Sequence, residues 1–512
     1  MKVNQLKAGA ILSYVSIFIT ILIALLYTPI MLRLLGQSEY GLYSLIGSLA
    51  GYLSIMDLGL GNAIVRYTAR NRALGDKNTE SRLNGMFLVL YSLIGLLTVI
   101  IGVLLYSNIE SLFGNSLNYI ELEKAKLMVI LLIINFALSF PLGIFGSIMQ
   151  AYEKFIFVKL VSIIRSLIIP LFTLPLLFFG YSSVSMVVVS TVINISCLLI
   201  NVFYCFKYLK IEFYFGKFNF KMVKEVLGYS FFIFLNVIVD KLYWSTDQVI
   251  LGMVSGTALV AIYAVAMQFI TLYMMFSTSV SGVFLPRITM MVANKANNEE
   301  LTDYMIKIGR IQYAIMALIL SGFILFGQVF IIFWAGKNYS NAFYIVLLVM
   351  IPLTIPLIQN IGISILQAKD LHSFRSIVYI IIAILNILIS IPLAKTYGVI
   401  GCAIATGVTL IIGNVLIMNI YYHRKIGLNI PLFWKNIAFM SIPIVLSLVF
   451  GYVINYLIPQ NGVIFLVSKI MLFSIIYLTL MLLIGFNRYE KDLFYSLIKQ
   501  MIKKGNRTLV KL

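Results

Sequence analysis

Six charged side chains lie inside long runs of apolar residues: Asp57, Arg165, Asp240, Lys241, Asp247 and Lys469. In hydrocarbon each such charge costs roughly 2.5–3.5 kcal/mol on insertion scales, so it faces a partner or a wet cavity, or reaches for the interface. The chemistry on offer is binding. Carboxylates take up a proton or a cation, and Lys and Arg hold anions, Arg through a planar fork suited to phosphate.

The densest set lies between 228 and 251. Asn236, Asp240, Tyr243 and Asp247 follow i, i+4, i+7, i+11 spacing, which is one face of a helix. Lys241, Ser245 and Gln248 form a neighbouring stripe. Lys241 stands 13 residues past the start of its stretch. At about 1.5 Å per residue that is roughly 20 Å, near or past the middle of a bilayer. Two readings fit. The face is the wet, charged wall of a central cavity, where Lys241, Asn236 and Tyr243 offer contacts to a bound molecule beside Asp240 and Asp247. Alternatively, an Asp240–Lys241 or interhelical ion pair merely fixes packing.

Other residues extend the set. Ser13, Thr20 and Tyr27 recur at heptad spacing in the first stretch, with Ser16 and Pro29 nearby. They make a second cavity wall with Tyr27 as a contact, or they bond their own helix. Arg165, six residues into its stretch, snorkels to the headgroups or turns inward to hold a phosphate. Asp57 opens Asp57-Leu58-Gly59-Leu60-Gly61-Asn62, where glycines permit close helix contact or local unwinding. It binds a cation, caps the next turn or is a plain charged helix end, and Arg66, Arg70 and Arg72 follow it. Lys469 lies shallow and reads as structural.

The elements carrying these residues are membrane helices. The 512 residues are 61% hydrophobic and only 11% charged, whereas a soluble domain is nearer a quarter charged. A span needs about 20 apolar residues. Fourteen stretches qualify: 8–32, 40–63, 85–107, 127–150, 160–179, 184–206, 228–251, 258–284, 310–334, 342–367, 375–394, 399–422, 436–458 and 463–486. The first is too long for a signal-peptide core and has no small-residue cleavage site before Arg33, so it reads as retained. Prolines 29, 141, 170, 175, 352, 356 and 392 predict kinks.

A net charge of +20 suggests nucleic acid only until its placement is seen. Of 38 Lys and Arg residues, 30 fall in every second gap, with Arg310 and Arg375 at the stretch edges counted to the gaps, five fall in the other gaps and three within spans. The positive-inside rule accounts for this and places both termini in the cytoplasm. No nucleic-acid motif is present. Cys197, Cys205 and Cys402 lie in or beside spans without metal-ligand spacing and read as small packing residues.

The chain also repeats itself. Ser147-Ile148-Met149-Gln150-Ala151 matches Ser364-Ile365-Leu366-Gln367-Ala368 at an offset of 217, as Pro175 matches Pro392. Leu35-Gly36 matches Leu251-Gly252 at 216. Six spans per unit is an even number, so the two units run parallel, related by an axis along the membrane normal. The expected organisation is a six-helix lobe over 1–206, a cytoplasmic linker at 207–227 and a second six-helix lobe over 228–422. Two additional spans at 436–486 and a basic cytoplasmic tail at 487–512 follow. That tail, with Tyr489, Phe494, Leu497 and Ile498 among basic residues, reads as amphipathic and lies on anionic lipid.

Signatures of catalysis are missing. The two histidines, His372 and His423, lie in loops, and no Walker A sequence occurs. The longest gap on the outer side, 108–126, is short for a glycan polymerase or ligase site. No cofactor is expected beyond an H⁺ or Na⁺ gradient.

Several motifs carry a resemblance. Leu34-Leu35-Gly36 with Tyr40-Gly41-Leu42-Tyr43 leads into the second stretch, and Asp57-Leu58-Gly59-Leu60-Gly61-Asn62-Ala63 leads out of it. Asp247-Gln248-Val249-Ile250-Leu251-Gly252, Val260-Ala261-Ile262-Tyr263-Ala264-Val265-Ala266 and Leu285-Pro286-Arg287 follow. Together they resemble the polysaccharide transporter family, the Wzx-type flippases of lipid-linked oligosaccharides. That family belongs to the multidrug/oligosaccharidyl-lipid/polysaccharide exporter superfamily. The resemblance implies a bacterial cytoplasmic-membrane protein with two six-helix lobes around a central cavity. Its cargo would be an undecaprenyl-diphosphate-linked glycan unit for O-antigen, capsule or exopolysaccharide, flipped by alternating access. Its partners would be that lipid-linked glycan, membrane lipids, and a polysaccharide polymerase with other assembly proteins. In that frame Lys241 and Arg165 meet the diphosphate, and Asp240, Asp247 or Asp57 couples an ion. A drug/cation antiporter of the same superfamily is the rival reading.

Overall fold

The computed structural model describes residues 5–216, 220–371, 373–458, 462–496 and 499. Among them the secondary structure is entirely helical. The helices are α1 Gln5–Leu35, α2 Gln37–Leu53, α3 Leu60–Leu74, α4 Lys77–Ser107, α5 Ile109–Phe113 and α6 Tyr119–Ala151. Next come α7 Phe155–Phe178, α8 Ser183–Tyr204, α9 Phe220–Val254, α10 Thr257–Ala293, α11 Asn298–Trp334, α12 Ala342–Ile358 and α13 Asn360–Ala368. The last are α14 Ser373–Leu410, α15 Met418–Tyr421, α16 Ile430–Leu457 and α17 Val463–Leu480. A chain in hydrocarbon must satisfy its backbone within each segment, and helices do so.

Thirteen of the described helical runs are long and apolar enough to cross a bilayer. One of them, Ser373–Ile426, has 54 residues. At about 1.5 Å per residue it would measure roughly 80 Å if straight, against a core of about 30 Å. It is not straight. Gly398 takes φ 56° and ψ −131°, and a Cβ on Gly401 would strike the carbonyl oxygen of Leu393. Residues eight apart in an unbroken helix stand about 12 Å apart. The run is therefore a hairpin, and its two arms are the expected stretches 375–394 and 399–422.

Several expected loops are helix. The gap 285–309 is filled by the ends of α10 and α11, and 64–84 by α3 and α4 with only Gly75 and Asp76 between them. Hydropathy marks where a helix leaves the bilayer, not where its hydrogen bonds end. Span two is broken instead of continuous. A short 3₁₀ turn, Ser54–Asp57, follows α2, and then Leu58 and Gly59 take left-handed φ of 52° and 70° before α3 begins.

Backbone exceptions recur with the period of the sequence repeat. Left-handed residues Glu153 and Asp370 stand 217 apart, as do Lys210 and Gly427. Gly180 and Gly398 stand 218 apart, and Gly36 and Gly256 stand 220 apart. Around Glu153 and Asp370 the same three terminal bonds form: Tyr152 N to Ile148 O, Glu153 N to Gln150 O and Lys154 N to Met149 O match Lys369 to Ile365, Asp370 to Gln367 and Leu371 to Leu366. Equivalent helices thus end with equivalent caps.

Two compact units emerge from the packing, 1–265 with 383–405, and 266–382 with 406–512. The first packs α4 and α8 on α6 and α1 on α7, around a core that includes Leu60, Ile64, Phe87, Ile144 and Met149. Its outward faces are apolar, with Ile11, Phe18, Leu26, Leu171 and Phe172 exposed, as lipid contact requires.

In the second unit α11 packs on α12, α16 and α17 around Phe326, Met440, Phe473 and Tyr477. Arg310 corrects the charge reading. Counted with the loops from sequence, it is buried on α11. Its Nε and Nη2 donate to Glu490 Oε1 and Oε2 at 2.6 and 2.9 Å, and its other bonds go to Gly485 O at 2.8 Å and Asn436 O at 3.1 Å. The pair latches the start of the basic tail to the membrane helices, and Lys307 Nζ lies 3.6 Å over the Tyr489 ring. Of that tail, Leu497, Ile498 and 500–512 lie outside the described residues, as do His372 and residues 1–4.

Removing one partner of a buried ion pair leaves the other charge stranded, at about 3–5 kcal/mol. Arg310→Met is expected to lower the thermal unfolding midpoint of the detergent-purified protein by several degrees. The double variant Arg310→Met/Glu490→Leu should recover most of that loss.

Candidate functional site

Asp247 is the most enclosed acid of span seven, only 2% exposed on α9. Gly256, with φ 83°, turns α9 back into α10. That reversal returns Tyr263 to the level of Asp247, and its hydroxyl donates to Asp247 Oδ2 at 2.6 Å. From the first arm of the 373–426 hairpin, Ser390 Oγ donates to Asp247 Oδ1 at 2.8 Å and lies 3.4 Å from Asn386 Oδ1. Asn386 and Ser390 are fully buried. Three helical segments thus converge on one carboxylate, with hydroxyl and amide oxygens around it. Such a set has the chemistry to accept a proton or a hard monovalent cation. Among the described residues no group of three His, Cys, Asp or Glu side chains is placed to hold a metal.

The neighbouring stripe of α9 faces α2. Ser48 Oγ donates to Gln248 Oε1 at 2.6 Å, and the Tyr52 and Thr246 hydroxyls meet at 2.5 Å. Gly51 makes room there: a Cβ on it would stand 3.2 Å from Ser245 Oγ and 3.8 Å from Lys241 Cδ. Lys241 therefore packs its stem beside α2 and is half-buried. The helical stripe expected to form one wall divides. Tyr243 and Asp247 are buried, whereas Asn236 and Asp240 are exposed. A small angular step around the helix separates protein from solvent-accessible space, and spacing alone does not say where that boundary falls.

Sites expected elsewhere lie apart from Asp247 in the chain's packing. Asp57 accepts from Tyr91 Oη at 2.8 Å and from the backbone N–H groups of Gly59 and Gly61. These bonds span the break between α2 and α3. Arg165 Nη1 donates to Asn194 Oδ1 at 2.7 Å, and Asn194 Nδ2 donates to Asn135 Oδ1 and Ser139 Oγ, both at 2.8 Å. That chain ties α7 through α8 to α6. The Tyr27 hydroxyl is buried beside Thr173 without a hydrogen bond of ordinary length.

A second polar cluster closes the end of α9 and the start of α10 against α2, α5 and α6. Gln37 Nε2 donates to Ala258 O at 3.0 Å, and Thr257 Oγ1 donates to Glu121 Oε1 at 2.6 Å. Ser116 Oγ donates to Gly252 O, and Gly41 touches Thr257 O so closely that no side chain fits. Glu39 pairs with Lys124 and accepts from Ser183 Oγ at 2.6 Å. Lys126 pairs with Glu110 at 2.6 Å. Two of the five lysines and arginines in the sparsely basic gaps are thus neutralised by acids. Ser48, Tyr52, Tyr263 and Ser390 were not singled out as contacts from sequence. Hydroxyl residues are common in spans, and only packing shows which of them meet a carboxylate or an amide.

Replacing Asp247 separates its charge from its shape. Asp247→Asn keeps an acceptor for Tyr263 or Ser390 and is expected to unfold near the wild-type midpoint. Asp247→Leu strands both buried hydroxyls, at about 1–3 kcal/mol each, and should unfold well below it. Equal midpoints for the two variants would contradict this geometry.

Comparisons with known proteins place the chain. The family model described as "Polysaccharide biosynthesis protein" matches residues 6–292. A Shigella flexneri protein named "Putative O-antigen transporter" is 24% identical over 409 residues, 78% of this chain and 94% of that protein. The fold is similar to that of the lipid II flippase MurJ in an inward closed conformation, with a TM-score of 0.73 at 18% identity, covering 95% of this chain and 99% of that one. It is also similar to an inward-facing MATE-family multidrug resistance transporter, with a TM-score of 0.57 at 17% identity, covering 77% and 96%. A mutant of the Vibrio cholerae MATE transporter VcmN is similar at a TM-score of 0.52 and 15% identity, covering 83% and 99%. With the family model covering more than half of its length, the chain belongs to the polysaccharide biosynthesis protein family.

Proposed function

We propose that this protein is a flippase for a lipid-linked glycan unit in the bacterial cytoplasmic membrane. The cargo is an undecaprenyl-diphosphate-linked oligosaccharide, and the movement is alternating access coupled to H⁺ or Na⁺. The observation that carries the reading is the buried Asp247, held by Tyr263 and Ser390 from two other helical segments, in a chain of this family. Both termini lie in the cytoplasm in this reading, as the distribution of 30 of 38 basic residues favours.

Asp247 is the coupling residue. Protonation or a bound cation neutralises a carboxylate that is otherwise costly to bury. The hydrogen bonds from Tyr263 and Ser390 then change strength, and with them the packing of α10 and the hairpin on α9. Asp240, exposed on the same helix, is the second acid of the pathway. Lys241, with Asn236, Tyr243 and Tyr27, offers contacts to the head of the cargo, and Arg165 offers a further cation. Asp57 serves by setting the break in span two. The lipid-linked glycan, membrane lipids and the polymerase that consumes the flipped unit are the partners of such a carrier. Two six-helix lobes, 1–206 and 228–422, are its moving parts, with 207–227 between them, 436–486 as the added pair and 487–512 on the membrane surface.

Similarity to the MATE transporter fold and the acids of α9 favour a second reading, a drug/cation antiporter. Reconstituted vesicles separate the two. A fluorescent polyprenyl-diphosphate saccharide should change leaflets with wild-type protein. Asp247→Asn should slow it at least about tenfold, a change of roughly 1.4 kcal/mol, and remove its response to an imposed ion gradient. Lys241→Ala should slow it less. Drug efflux without movement of the labelled lipid would refute the flippase reading.

A further inference from the structure

Two arginines that no assigned role uses stand on one face of α3. Asn62, Arg66 and Arg70 follow at four-residue steps, and all three are exposed. Side chains so spaced meet a common ligand, because their Cβ atoms lie about 5–6 Å apart. Arg66 is held in place by aromatic rings. Its guanidinium carbon lies 4.6 Å from the Tyr229 ring centroid on α9 and 5.9 Å from that of Tyr67. The two rings meet edge to face, with centroids 6.5 Å apart. Tyr67 is oriented in turn by its bond to Glu225 Oε1 at 3.2 Å.

Stacking occupies the flat faces of a guanidinium and leaves its N–H edge unused. Among the described residues, neither Arg66 nor Arg70 forms an ion pair or donates a hydrogen bond from its guanidinium. Glu225 is the acid beside them, and Tyr67 engages its carboxylate. The face thus presents one oriented guanidinium, Arg66, with a second, Arg70, one helical turn away, a pair of forks suited to an anion with several oxygens. Its direction depends on the break before α3. Asp57, anchored by Tyr91 and by the N–H groups of Gly59 and Gly61, fixes where that helix starts and which residues it turns outward.

We infer that Arg66 and Arg70, backed by Tyr229, form the site that captures the diphosphate head of the lipid carrier before it moves. This rests on the flippase reading and adds a site to it. Arg66 lies just past the end of the second apolar stretch, 40–63, at the level where a lipid headgroup sits. There a diphosphate meets charge without leaving the interface, whereas Lys241 lies deeper along its own span.

The test uses full-length protein in phosphatidylcholine nanodiscs, titrated with polyprenyl diphosphate. Parallel arms use discs doped with phosphatidylglycerol and competition by soluble pyrophosphate. Wild type should bind the polyprenyl diphosphate in preference to phosphatidylglycerol, and pyrophosphate should compete. Arg66→Ala and Arg70→Ala should each weaken binding about tenfold. Arg66→Lys should recover little, because a point charge lacks the fork. Tyr229→Phe should bind as wild type and Tyr229→Leu more weakly. Arg66 and Arg70 are exposed, so an unchanged unfolding midpoint accompanies their substitutions; Tyr229 packs against the first core, so its variants are compared at matched folded fraction. An Arg66→Ala/Arg70→Ala variant with wild-type affinity would overturn the site while leaving the flippase reading standing. Wild type that binds no polyprenyl diphosphate would overturn both. Equal affinity for phosphatidylglycerol, or no competition by pyrophosphate, would overturn recognition of the diphosphate.

Discussion

Inside a bilayer no water waits for an unpaired N–H or C=O, and every other feature of this protein is arranged around that constraint. Helices run long and close their own bonds. Where the helix is interrupted, something replaces the missing partner. At the break between α2 and α3 the replacement is Asp57, which takes N–H groups from Gly59 and Gly61 and is itself held by Tyr91. At Glu153 and Asp370 the last carbonyls are closed by the same pattern of turn bonds. Gly398 reverses the chain with a backbone conformation that an L side chain would strain. Several helix ends are thus closed in the same way at equivalent places in the repeat.

The same medium sorts the charges. Arg310 and Glu490 neutralise each other with a bidentate geometry, and the remaining donors of Arg310 go to backbone carbonyls. Glu39 and Lys124 pair near the start of α2. Asp247 is met by two hydroxyls from separate segments, which ties those segments to one buried carboxylate. Arg66 is handled differently again, held by ring faces with its donors left over. Pairing that consumes a charge builds structure. Support by ring faces leaves a charge available.

Much of this was legible in the chain itself. The fourteen stretches are helical, including the two that share the run 373–426. The glycines after Asp57 marked a real interruption, and the 217-residue offset reappears in the left-handed residues that end equivalent helices. Other features were not legible. The segment 285–309 reads as a loop because it is polar, yet it continues α10 and begins α11. Arg310 stands at the edge of that segment and reads as a gap charge, because the residue that pairs it lies 180 positions away.

Sequence alone determined the solvent, the helical class and the number of apolar stretches. Those follow from composition and period, which act locally along the chain. It also named Asp247 and Lys241 as exceptions worth explaining. Only tertiary packing decided what surrounds them. Asn236, Asp240, Tyr243 and Asp247 share one helical stripe, yet two of the four are buried and two exposed. Tyr263, Ser390, Ser48 and Tyr52 became contacts because separate helices brought them there. A side chain's neighbours across helices depend on how whole segments cross, and no spacing within one segment encodes that.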